Sequence, residues 1–184
     1  MSLVNQITYF PSNGIQIDIP TQTYPDGFPV VNVSVESFAD NYEFFSSTLL
    51  VQPLDTNALM TALWLADACE WRGQPIRTLV VPYLPGARQD RLNPAGDFLF
   101  AAKSIANEIN SRNFERVICF DPHSDVMPAL INNCFVVHVD EVEIDFGKAC
   151  YDGIVAPDAG AAKRAEKIAS MLKVPLLNAW KTRD

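Results

Sequence analysis

Arg88 and Arg91 bracket Gln89 and Asp90 in a run that opens on Pro82-Tyr83-Leu84-Pro85-Gly86-Ala87. Two prolines stiffen this segment and a glycine turns it. Guanidinium forks match phosphate oxygens in pairs and stack on purine rings, so the run suits a nucleotide. The same spacing is also met by a plain surface pair between Arg88 and Asp90. Further on, Asp121, His123 and Asp125 alternate, which turns carboxylates and an imidazole toward one ion or phosphate; Asp121 and Asp125 could equally cap a following helix. Asp158 precedes Ala159-Gly160-Ala161, small residues that let backbone N–H groups approach an anion at a helix start, where a lone Asp also serves as an ordinary N-cap. Near residue 184, Lys181 and Arg183 flank Thr182, either as anion-binding cations or as a solvated basic tail.

Each of the first three clusters follows a short apolar run, and these runs are the elements that must position them. Val30 to Glu36 alternates apolar and polar residues with the period of a half-buried strand. After the apolar stretch Phe44 to Val51, Asp55-Thr56-Asn57 offers helix caps, and Leu59, Leu63 and Ala66 recur at helical spacing up to about Trp71, with Gly73 as a left-handed stop. Thr78 to Val81 and Arg116 to Phe120 are short buried strands, with a helix from Phe98 to Ile109 between them. Ile154-Val155-Ala156, a helix from about Ala161 to Leu172, and Pro175-Leu176-Leu177 repeat the rhythm. Alternation of this kind predicts an α/β fold with a mostly parallel sheet flanked by helices. Ligands in such sheets bind beyond the carboxyl ends of the strands, where the three clusters fall.

The acidic stretch Asp140-Glu141-Val142-Glu143-Ile144-Asp145 is the one compositional break and divides the chain into residues 1–139 and a shorter unit, 140–184, too small to bury a sheet alone. With 48% hydrophobic and 20% charged residues the chain must fold, and its net charge of -8 argues against a general nucleic-acid binder. No apolar run is long enough for a membrane span and the first ten residues lack a signal-peptide pattern, so the expected location is cytoplasmic. Cys69, Cys119, Cys134 and Cys150 are far apart in sequence, form no C-x-x-C pair and read as reduced, buried thiols.

Taken together, the clusters resemble the ribose-phosphate diphosphokinase (phosphoribosyl pyrophosphate, PRPP, synthetase) family. Pro82-Tyr83 through Ala87-Arg88-Gln89-Asp90-Arg91 is similar to that family's P-Y-x-x-x-A-R-Q-D-R adenine-nucleotide loop, and Asp121-Pro122-His123 to its D-x-H segment. Val155-Ala156-Pro157-Asp158-Ala159-Gly160 resembles the S-P-D-x-G segment, and Tyr24-Pro25-Asp26-Gly27-Phe28 the F-S-D-G-E element that reaches the adenine site of a neighbouring subunit. Asn57 stands where the family has an Asn-rich helix start. The resemblance implies a type I phosphoribosyltransferase-like fold with an incomplete second repeat, ATP and ribose 5-phosphate as substrates, Mg²⁺ as cofactor, and a homo-oligomer. It also implies roles: Tyr24, Asp26, Arg88, Gln89, Asp90, Arg91 and His123 toward ATP, His123 and Asp158 toward the metal, Asp158 on the ribose-phosphate side, and Lys181 and Arg183 as catalytic cations. Phe44, Phe45 and Trp64 are either interface or core residues, with core favoured.

Departures from the family are equally specific. Phe28 replaces a glutamate that would accept a hydrogen bond from the adenine amino group, and the connection from His138 to Ile154 is short of a helical insertion. The acidic D-D-x-x-D-T-G-G-T motif that cradles ribose 5-phosphate does not occur in these 184 residues. Two expectations follow: a truncated piece of a synthetase, or a non-catalytic homologue that binds nucleotide and serves regulation or assembly. A base-salvage phosphoribosyltransferase ranks last, since it too needs the acidic motif and has no use for Ala87 to Arg91.

Overall fold

The computed structural model describes residues 6–10, 17–19, 21–31, 48–52, 56–92, 99–142 and 151–179. They divide into two compact units, Met1–Val136 and Val137–Asp184. The first contains a six-stranded sheet of β1 (Gln6–Phe10), β2 (Ile17–Ile19), β5 (Thr48–Gln52), β6 (Thr78–Val81), β7 (Arg116–Phe120) and β8 (Cys134–Val137), in the order β2-β1-β5-β6-β7-β8. The pairs β5/β6 and β6/β7 are parallel, as the alternation of strand and helix predicts, while β1 runs antiparallel to both of its neighbours. The two parallel crossovers contain α1 (Thr56–Trp71) and α2 (Ala101–Asn110).

Register explains the core. Leu49 aligns with Leu79 and Leu79 with Val117, so one apolar row crosses three strands, and all three side chains are sealed from solvent. Alternation of the side chains puts Val81 and Cys119 on the same face, also buried. Against this core lie Leu59, Leu63 and Ala66 of α1 and Ala102, Ala106 and Ile109 of α2. Helix α1 stops where expected: Gly73 adopts φ 72°, its N–H donates to the Glu70 carbonyl at 2.9 Å, and the Gln74 N–H donates to that of Cys69 at 2.9 Å. That double closure satisfies the last carbonyls of the helix.

Arg112, just beyond α2, clamps the two helices together. Its Nε and Nη2 donate to Asp67 Oδ1 and Oδ2 of α1, each at 3.1 Å, and its Nη1 donates to Glu108 Oε2 at 2.8 Å. Because Arg112 is largely buried and Asp67 partly so, truncation strands a carboxylate. Arg112→Ala is therefore expected to cost about 2 kcal/mol, roughly 4–8 °C in the melting temperature. A thermal melt monitored by circular dichroism checks this, and an unchanged melt would show that the clamp contributes nothing.

Outside the main sheet, β3 (Thr21–Thr23) and β4 (Pro29–Val31) form an antiparallel hairpin packed on α1. The alternating run that begins at Val30 is thus a hairpin strand up to Val31; its remainder, residues 32–36, lies outside the described residues. Phe98 and Asp55 also lie outside them, and α2 begins at Ala101. In the second unit, β9 (Ile154–Ala156) and β10 (Leu176–Asn178) pair in parallel around α4 (Ala162–Leu172). Strands β1, β2, β3 and β8 had no expectation attached, whereas the short helix α3 (Val126–Leu130) is the one that the capping alternative for Asp121 and Asp125 places after them.

The thiols need one addition to the sequence reading. Cys69 is buried, and that burial raises its pKa to about 11. Cys119 and Cys134, far apart in the chain, meet on neighbouring strands with their sulfurs 3.7 Å apart. Cys119 is held protonated by the hydrogen bond to Cys134 and by burial. Cys150 lies outside the described residues.

Candidate nucleotide site

Strand β6 delivers residues 82–92 to the carboxyl end of the sheet, and its register with β7, Val81 opposite Cys119, delivers residues 121–125 to the same end. The first loop is sorted by burial. Leu84, Pro85, Ala87 and Asp90 point inward, whereas Arg88, Gln89 and Arg91 are exposed. Its backbone is fastened at Gln89, whose N–H donates to the Gly86 carbonyl at 3.0 Å and whose carbonyl accepts from the Ala102 N–H of α2 at 3.1 Å. The loop therefore presents two guanidiniums and an amide from an anchored frame.

Gly86 is required at the turn for two reasons. Its φ is 74°, and a Cβ there would come within 3.1 Å of Ala101 Cβ and 3.5 Å of the Ala101 backbone carbon. Gly86→Ala is expected to cost about 2 kcal/mol, or roughly 4–8 °C of melting temperature, from backbone strain and overpacking. A melting temperature equal to the wild type's would contradict the turn geometry.

The alternative of a simple Arg88–Asp90 pair is not what forms. Asp90 instead accepts from Arg91 Nε at 3.1 Å and from Ser124 Oγ at 2.7 Å, and among the described residues Arg88 has no ion pair. The Ser124 hydroxyl, and after it Arg91, hold the Asp90 carboxyl below its ordinary 3.8, with burial acting in the opposite direction. A carboxyl whose folded pKa is depressed stabilises the fold above its unfolded value and loses that contribution only as the pH falls through the lowered one. The loop thus keeps its carboxylate at neutral pH.

The second loop starts from strained backbone: Asp121 adopts φ 40°. His123 is exposed, and Asp125 stands at the N-cap of α3 without a side-chain cap bond. Asp158, in the second unit, is exposed, and its Oδ1 accepts the Ala161 N–H at 3.0 Å one turn ahead of α4. This bond closes the turn ahead of the helix, whose N-cap is Ala161 rather than Asp158, and it occupies only one of the two carboxylate oxygens. Lys181 and Arg183, with Phe44 and Phe45, lie outside the described residues.

At the hairpin tip, Gly27 takes φ 85° and its N–H donates to the Tyr24 carbonyl at 2.8 Å, a turn for which Pro25 and Gly27 are suited. Asp26 Oδ1 accepts the Phe28 N–H at 3.0 Å. Tyr24 and Asp26 are exposed, whereas the Phe28 ring lies on Trp64 of α1, with centroids 4.7 Å apart and planes at 12°. Trp64 is half-buried beneath it. The residue that takes the place of the family's acceptor glutamate therefore acts as an aromatic brace for the hairpin.

A divalent cation fits the donors on the second loop. Mg²⁺ takes oxygen ligands, keeps several waters and, when bridged by phosphates, needs only one or two protein contacts. No cluster of three or more His, Cys, Asp or Glu side chains forms among the described residues. Asp121 and His123 are the groups that loop offers for such sparse coordination. No helix among the described residues is long and apolar enough to cross a membrane.

An α/β sheet of this order, with its loops gathered at the carboxyl ends of parallel strands, defines a type I phosphoribosyltransferase-like protein. The chain is 30% identical over 177 residues to ribose-phosphate pyrophosphokinase of Cereibacter sphaeroides, covering 84% of this chain and 51% of that protein. It is 33% identical over 140 residues to the enzyme of the same name from Corynebacterium efficiens, covering 72% and 42%. The crystal structure of phosphoribosylpyrophosphate synthetase from Mycobacterium smegmatis superposes with a TM-score of 0.68 at 26% identity, covering 90% of this chain and 56% of that one. No family model matches. Over the segment it spans, the chain belongs to the ribose-phosphate pyrophosphokinase family. It spans about half the length of the curated relatives it matches.

Proposed function

We propose that residues 1–139 form the ATP-binding part of a ribose-phosphate diphosphokinase and that residues 140–184 begin a second domain of the same type. The observation that carries this reading is the sorted loop, with Asp90 sealed inside and Arg88, Gln89 and Arg91 turned outward from an anchored backbone. The reaction is transfer of the diphosphoryl group of ATP to the anomeric hydroxyl of ribose 5-phosphate, giving PRPP and AMP. The anomeric oxygen bonds to the β-phosphorus as the bond from that phosphorus to the α,β-bridging oxygen breaks, with no covalent enzyme intermediate.

Such a transfer rests on in-line positioning and on neutralising charge at the equatorial oxygens. Arg88, Gln89 and Arg91 hold adenine and phosphates, with Asp90 fixing Arg91. His123 contacts phosphate or metal, and Asp158 faces the sugar-phosphate. Lys181 and Arg183 close over the transferring group and serve rate more than affinity. His123 on the first unit and Asp158 on the second are the residues that would ligate Mg²⁺, whose chemistry would be to neutralise phosphate charge. Tyr24 and Asp26 reach the adenine site of a neighbouring copy in a homo-oligomer, and the protein works in the cytoplasm.

Phosphorus NMR of the purified chain with Mg²⁺, ATP and ribose 5-phosphate tests this. Formation of PRPP and AMP that requires both substrates supports the enzyme. Shifted ATP resonances without product mark a nucleotide-binding homologue or part. Spectra identical to those without protein overturn both.

A further inference from the structure

One hydroxyl joins the two loops. Ser124 Oγ donates to Asp90 Oδ2 at 2.7 Å across 34 residues of sequence, and the same oxygen accepts the Val126 N–H at 3.4 Å. Asp90 is only 6% exposed, whereas the Arg91 side chain bonded to its other oxygen is 84% exposed. A carboxylate so withdrawn from water needs partners, and here they are Ser124 from the second loop and Arg91 Nε from the first. With Nε engaged, the Arg91 guanidinium is held at its inner nitrogen while the side chain stays largely exposed. Ser124 also follows His123 directly, so the bond that fixes Arg91 fixes the backbone next to the imidazole. Asp121, at φ 40°, bends this second loop ahead of Pro122.

We propose that Ser124 is a positioning residue: through Asp90 it locks the arginine loop to the histidine loop, so that Arg91 and His123 meet the nucleotide phosphates in one set arrangement. The proposal rests on the nucleotide reading given above. It adds a residue that touches no substrate yet sets how two binding groups are held relative to each other.

Three forms of the whole chain test it: wild type, Ser124→Ala and Ser124→Thr. In the absence of nucleotide, amide hydrogen exchange at Gln89 of the first loop, at Ala102 of α2, whose N–H donates to the Gln89 carbonyl, and at Ala129 of α3 is expected to quicken in Ser124→Ala and to return in Ser124→Thr. Calorimetric titration with Mg-ATP is expected to show about tenfold weaker binding for Ser124→Ala, the loss of one hydrogen bond to a charged group, with recovery in Ser124→Thr. A purely structural role would lower the melting temperature while leaving affinity intact, and that result overturns the proposal. Unchanged exchange in both loops overturns it as well. Failure of the wild type to bind Mg-ATP overturns the nucleotide reading and the proposal with it. Quickened exchange in Ser124→Ala would then show that the loops are coupled as described and that the nucleotide assignment was at fault.

Discussion

Replacing Arg88 by alanine is expected to weaken Mg-ATP binding by about ten- to a hundredfold, since a charge-assisted hydrogen bond contributes about 1.5–3 kcal/mol. Stability should hardly change. Arg88 is exposed and, among the described residues, makes no ion pair, so its removal leaves the fold intact within about 0.5 kcal/mol. This separation of effects distinguishes Arg88 from Arg91, whose guanidinium is also a structural partner of Asp90. Arg88→Lys should recover only part of the affinity, because an ammonium restores the charge without the planar fork. Calorimetric titration of the three proteins at fixed ionic strength is the measurement, and equal affinity across them would remove Arg88 from the site.

The second large effect is on the fold. Leu79 has no solvent exposure, sits in the central strand β6 and lies in register between Leu49 and Val117. Leu79→Ala is expected to cost about 3–4 kcal/mol, a transfer loss plus a cavity that close-packed neighbours cannot fill. Out of a total stability of about 5–15 kcal/mol, that is a large part, and the melting temperature should fall by roughly 8–15 °C. Urea denaturation followed by circular dichroism gives the number directly. A loss under about 1 kcal/mol would mean that β6 is not the packed centre of the sheet. The two variants together separate the loop's chemistry from the strand that carries it.

How much of this was legible in advance varies with the range of the interactions involved. Helix α1 announced both of its ends, because caps and a left-handed glycine are local devices that act within a few residues. Strands β6 and β7 were equally plain, as short β-branched runs bounded by turn formers. The hairpin tip at Tyr24–Phe28 was recognised as a motif, but not that Phe28 would lie on Trp64, a pairing that depends on where the hairpin meets α1. Strands β1 and β2 were missed because their pairing is antiparallel and spans gaps in sequence that no periodicity records. The thiols of Cys119 and Cys134 were read as separate, and only the adjacency of β7 and β8 brings them together.

The residue types and spacing of Arg88-Gln89-Asp90-Arg91, Asp121-Pro122-His123 and Pro157-Asp158 by themselves determined which chemistry is proposed for this chain and on which segments, since motif and period are written along one dimension. What they left open was which way each side chain turns. Asp90 might have paired with Arg88 on the surface. It is instead buried against Ser124, because the register that places Val81 opposite Cys119 brings the two loop starts to one end of the sheet. That choice belongs to tertiary structure alone: a buried carboxylate must be satisfied wherever donors are in reach, and the nearest hydroxyl lay 34 residues away in the chain and 2.7 Å away in space.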